Sequence, residues 1–305
     1  MSMVGPAQTE NIAIDNKEDA QLIWLTGAKV DVLGGAEKNI SEKYLCHSNL
    51  SFGDAEQHNK SMSHSHANTF HIKFLDLNQG QSEIKFPPGY AMPFLSDENI
   101  IFHAMALNNQ PVENPINLKF KANLEFVYDQ DLTEPMKALR QTGIDLIVPG
   151  KYPNCDNITE AALCGVYHVY GDGDWWNTHW LVPPGRHMYQ HSIEGEKFLP
   201  YDTTAHYMAI HMHPYAESME LVDLTAQKTV FKGFAHHFEN NQDIESLDNY
   251  SGAEGIPLYR DHMYEVKAVY NNITNRDIDA MAILYIYIWD KNFDKKNIKT
   301  SAHVH

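Results

Sequence analysis

The stretch Leu118-Lys-Phe-Lys-Ala-Asn-Leu-Glu-Phe-Val127 alternates apolar and polar side chains. Successive residues of a strand point to opposite faces, so this period of two predicts a half-buried β-strand. The reading extends outward. Residues 23–25, 28–33, 44–50, 70–75 and 100–106 are short apolar or β-branched runs parted by Gly- and Asn-containing turns, and so are 180–182, 207–213, 219–223, 263–270 and 280–289. One segment breaks the pattern. Thr133-Glu-Pro-Met-Lys-Ala-Leu-Arg-Gln-Thr-Gly143 offers an N-cap threonine, a first-turn proline and a glycine stop, which predicts a short helix. Residues 149–164 then carry glycine, proline and two cysteines, as a connection would. The expected fold is all-β, with sandwich domains at 20–130 and 165–295 joined by a helix and loop over 131–164. The first twenty residues are polar and irregular, as an arm would be.

A chain of 305 residues can bury a sizeable core. Its 23 basic against 40 acidic residues, a net charge of −17, argue against a nucleic-acid or anionic-membrane surface. No apolar run approaches the roughly 20 residues of a membrane-spanning helix. Cys155 and Cys164 are spaced to close a short disulfide loop, leaving Cys46 over; three unpaired thiols are the cytosolic alternative. Asn-x-Ser/Thr triplets begin at Asn39, Asn49, Asn59, Asn157, Asn249 and Asn272. With the cysteine pair they favour an exported, periplasmic or extracellular protein. The oligomeric state is left open.

The chemistry gathers in Ala209-Ile-His-Met-His-Pro214. On a strand His211 and His213 share a face, and Met212 points away. Met281 lies in the apolar run Ala280-Met-Ala-Ile-Leu-Tyr-Ile-Tyr-Ile-Trp289. Two imidazoles plus a thioether suit copper that cycles through Cu(I), whereas zinc more often takes a carboxylate or thiolate as its third ligand. The plainer alternatives are a solvent-facing histidine pair and a core methionine. His64 and His66 read as a solvated loop tip, and His236, His237, His303 and His305 as incidental.

Three segments, Val182-Pro-Pro-Gly185, His211-Met-His213 and Asp279-Ala-Met-Ala-Ile-Leu-Tyr285, resemble in order and spacing the catalytic domain of the ascorbate-dependent type II copper monooxygenases. The resemblance implies two jelly-roll domains facing a cleft and an oxygen-activating copper held by His211, His213 and Met281. It also implies an electron-transfer copper in the first half, at positions matching His47 and His103. There Cys46 stands where the family has a second adjacent histidine; alternatively His64 or His66 supplies a ligand, or that first site is empty. Tyr285 would orient substrate. Ala209 replaces an arginine and Ile283 an asparagine of the peptide-amidating members, so a glycine-extended peptide is not the expected substrate. A second Pro-Pro-Gly turn, Pro87-Pro-Gly89, parallels the first. A cupin-like motif starting at His211 fails because Leu224 stands where its glycine should, and Pro184-Gly185 precedes it.

The expected function is therefore a copper-dependent monooxygenase. It would hydroxylate a C–H bond of a small organic or peptide-like substrate with dioxygen, one or two copper ions, and ascorbate or another external electron donor. The alternative is a non-catalytic copper carrier, sensor or store on the same scaffold. A third reading is a β-sandwich binding module whose histidines are all structural.

Overall fold

The computed structural model describes residues 7–14, 20–62, 73–107, 116–150, 167–169, 175–239 and 242–298. Cys155, Cys164, Asn157, His64, His66, His303 and His305 lie outside them. The protein is all-β, built as two sandwiches. The opening stretch is the strand Lys119–Tyr128, paired along its length with Leu22–Leu33. Its Phe120, Ala122 and Leu124 pack against the first core, as the alternation requires.

Among the described residues, one sheet of the first sandwich orders Ala7–Ala13, Asn99–Ala106, Leu45–Phe52 and Lys73–Asn78. It faces strands Leu22–Leu33, Glu83–Lys85 and Tyr90–Leu95 across a core that includes Ile23, Val30, Leu50, Phe74 and Phe94. In the second sandwich a sheet of Gly185–Glu194, Met263–Asn272, Ala216–Asp223, Lys228–His237 and Ile244–Leu247 covers Thr203–Met212 and Ile278–Trp289. Met208, Ile210, Met219, Val266 and Leu284 fill that core.

One long sheet runs through both sandwiches, from Asn249–Leu258 through Thr203–Met212, Ile278–Trp289, Lys137–Asp145 and Tyr90–Leu95 to Leu22–Leu33 and Glu83–Lys85. The strand Ile278–Trp289 is buried on both faces. Ile283, Tyr285 and Tyr287 belong to the first core, and Ala282, Leu284, Ile286 and Ile288 to the second. A strand covered on both sides has no polar face, so it reads as a continuous apolar run.

The helix expected over 133–143 is a strand, Lys137–Asp145. It pairs antiparallel with Ile278–Trp289, from Leu139 opposite Trp289 to Asp145 opposite Ile283, and parallel with Tyr90–Leu95. Ala138, Leu139 and Ile144 are buried by that pairing. Ladder bonds on two sides and burial outweigh the weak local preference that the cap residues express. Residues 137–145 of the expected connection are therefore a strand of the shared sheet. The described α-helix is Ala55–Ser61, opened by Asp54, whose carboxylate accepts the Gln57 N–H at 2.8 Å.

Both Pro-Pro-Gly turns place their glycine in the left-handed region, Gly89 at φ 82° and Gly185 at φ 105°. Two of the sequon asparagines, Asn49 and Asn272, are buried, and Asn272 Nδ2 donates to the Val182 carbonyl at 2.8 Å. No helix among the described residues is long and apolar enough to cross a membrane.

Candidate metal centre

Three strand ends of the second sandwich supply the site. Thr203–Met212 runs antiparallel to Ile278–Trp289, with His211 opposite Ile283 and Met212 opposite Ala282. On its other flank the start of Ile278–Trp289 pairs with His179–Val182, placing His179 opposite Met281 and Leu181 opposite Asp279. Period-two alternation puts Asp279, Met281 and His179 on one face, toward the first sandwich. Met212 turns the other way, into the second core.

His213 Nδ1 lies 2.8 Å from Asp279 Oδ2. His179 Nδ1 lies 3.3 Å from each oxygen of the same carboxylate. One ligand atom from each of the three residues falls within 4.8 Å of the others. The side chains are 6 %, 11 % and 21 % exposed for His213, Asp279 and His179. The His213–Asp279 approach lacks the alignment of a hydrogen bond, and His213 Nδ1 has no hydrogen-bond partner. Two atoms each about 2.0–2.2 Å from one ion lie roughly 3–3.5 Å apart, so these spacings are close to those of a shared coordination sphere.

Charge states agree with that. Burial works to raise the Asp279 carboxyl, but the imidazoles of His179 and His213 against its oxygens outweigh it and hold the group well below the usual carboxylate range. Burial lowers His213 despite Asp279, and lowers His211 further, with neighbouring imidazoles adding to the effect. The result is an ionised carboxylate facing a neutral ring, the state in which both donate to a cation.

His211 lies beside His213, ring centroids 5.6 Å apart, and outside the three-residue group. Its Nδ1 is also buried without a hydrogen-bond partner. Met281 packs against the first core. Tyr285 is buried, and burial and then the charge of Asp76 of the first sandwich hold its hydroxyl well above its usual range. His47 and His103 stack at 5.8 Å between centroids, and His103 Nδ1 meets Thr9 Oγ1 at 2.9 Å. Burial first, then Lys73, lowers His47 to about 3. Cys46 is a buried free thiol, raised to about 12 by burial and then by the charge of Asp279. A register shift between Leu45 and His47 lets both neighbours feel charges of the second sandwich.

Sequence reasoning passed over His179 and Asp279. Asp279 was detectable, two strand positions before Met281 and hence on its face. His179 had no signal of its own, because the cross-strand pairing that delivers it spans a hundred residues.

No family model matches the chain, and no curated protein matches it. Solved structures that match include the major capsid protein P2 from Bacteriophage PM2, 10% identical over 95% of this chain and 94% of that one, with a TM-score of 0.34. They also include the STIV MCP, 9% identical over 93% of this chain and 92% of that one, with a TM-score of 0.35. At such TM-scores neither likeness says what this chain does. No family model supports a place among the copper monooxygenases, and the two structures just described are viral capsid proteins, so the expected membership in that family is overturned. With it go the copper-dependent oxidoreductase and the copper carrier, sensor or store. The physical reason lies in the donors: the group gathered around His213 is completed by a carboxylate and a second imidazole, the set that suits zinc better than a Cu(I)-cycling ion.

Proposed function

We propose that the protein binds one zinc ion, or a cation of similar preference, through His179, His213 and Asp279. The observation that carries this is the convergence of two imidazole nitrogens on one half-buried carboxylate, at 2.8 Å from His213 and 3.3 Å from His179. Three protein donors leave a tetrahedral ion one position for water or an external oxygen or nitrogen ligand. The ion would tie together the ends of three strands, Thr203–Met212, Ile278–Trp289 and His179–Val182.

The test is zinc stoichiometry after removal of loosely held metal, on the wild type and on His179→Ala, His213→Ala and Asp279→Asn. One zinc per chain, lost or much weakened in each variant, is the expected result. A wild type that holds no zinc, or variants that hold it unchanged, would overturn the reading.

A further inference from the structure

Between the strands that carry His213 and Asp279 the regular ladder stops at Met212 opposite Ala282. The next pair would be His213 and Met281. There a hydroxyl bridges the two chains: Tyr270 Oη accepts the His213 N–H at 3.1 Å and donates to the Met281 carbonyl at 2.5 Å. Tyr270 is fully buried in the second core. Its ring meets Trp180 edge-on at 6.0 Å, and Trp180 follows His179 in the third strand. One side chain thus touches the backbone of one ligand, the segment two residues from the second, and the neighbour of the third. A direct ladder bond would draw the two strand ends together; an inserted oxygen holds them apart, where the imidazole of His213 and the carboxylate of Asp279 must leave space for an ion.

We infer that Tyr270 is the positioning residue of the metal centre, its hydroxyl setting the spacing between His213 and Asp279. The inference rests on the zinc reading above. Partners that fix ligands without touching the metal typically govern affinity by about 10–100-fold. Tyr264, on the same strand, provides a matched control: it is also fully buried, and its hydroxyl likewise accepts a backbone N–H and donates to a backbone carbonyl, both of Tyr259, at 2.8 and 3.1 Å.

The experiment compares wild type, Tyr270→Phe and Tyr264→Phe by zinc affinity in competition with a chromophoric chelator, by the visible spectrum of the cobalt(II)-loaded protein, and by metal-free melting temperature. Each variant loses one oxygen and keeps its ring in the core, so both should lose similar metal-free stability. Only Tyr270→Phe should lose about tenfold or more in zinc affinity and change the cobalt spectrum. Equal affinity of Tyr270→Phe and wild type would overturn the inference and leave the zinc site standing, and so would an equal loss in Tyr264→Phe. A wild type that binds no zinc would remove the parent reading and the inference with it. A second measurement needs no variant: zinc should slow hydrogen exchange of the His213 amide at least tenfold, and unchanged exchange in a zinc-loaded protein counts against the clamp.

Discussion

Ile283 and Leu284 are adjacent in the chain and lie in different hydrophobic cores, Ile283 against the first sandwich and Leu284 within the second. The strand that carries them is a wall common to both. Truncation at either position should therefore open a cavity. Ile283→Ala and Leu284→Ala should each cost about 2–5 kcal/mol. Met188, 59 % exposed on the strand Gly185–Glu194, should lose no more than about 0.5 kcal/mol on truncation to alanine. Urea denaturation of the three variants decides it: an Ile283→Ala as mild as Met188→Ala would mean that the first-sandwich face of the strand is not packed.

Asp279 should matter to the metal-free protein as well as to the loaded one. Its carboxylate is the group that His179 and His213 face. Asp279→Ala takes from His179 Nδ1 the carboxylate it meets at 3.3 Å, at a cost of about 1–3 kcal/mol. Zinc at a hundred times its dissociation constant should stabilise the wild type by about 2.7 kcal/mol and leave Asp279→Ala unchanged. Denaturation with and without zinc separates the two effects. Equal zinc stabilisation of both proteins would place the ion elsewhere.

The all-β class was legible because alternation is a local property. The run at 118–127 could be read without knowing its partners, and it is a strand. The strand Lys137–Asp145 was illegible for the opposite reason: its threonine, proline and glycine signals are local, while the pairing that defines it comes from Tyr90–Leu95 and Ile278–Trp289, far away in the chain. The site divides in the same way. His211 and His213 are visible as a pair two residues apart, and His213 is one of the three residues that could hold a cation together. Its partner His179 arrives only through cross-strand register, and Asp279 was overshadowed by a neighbouring methionine that packs against the core.

Contact between the sandwiches should also show in glycine substitutions. Gly80, at φ 82°, accepts the Leu247 N–H through its carbonyl at 2.9 Å, and a Cβ there would stand 2.5 Å from Ile244 Cγ2. Gly89 has the same φ and nothing within 4 Å of such a Cβ. Gly89→Ala should cost only the left-handed backbone, about 1–2 kcal/mol. Gly80→Ala should add an overpacking cost of about 1–3 kcal/mol. Equal destabilisation would show that Gly80 and Ile244 are not in contact.

Asp76, 3 % exposed on the strand Lys73–Asn78, faces Tyr285 across the two sandwiches and has Lys73 Nζ at 3.7 Å. Burial dominates and raises its carboxyl from 3.8 to about 6; Lys73 and the Tyr285 hydroxyl oppose the rise, and Asp145 adds to it. A carboxyl that titrates higher when folded than when unfolded binds a proton on folding between those two values. Stability therefore falls as pH rises through that window, by about 3 kcal/mol for a shift of about two units, and the cost is constant above it. Other carboxylates titrate over the same range, so the readable quantity is the difference from Asp76→Asn, which cannot ionise. That difference should move in favour of the variant by about 2 kcal/mol between pH 4 and 7. Urea denaturation at each pH unit measures it. A difference independent of pH would mean that Asp76 is ionised at pH 4 in the folded protein, and that Lys73 and the tyrosine hydroxyl fully offset its burial.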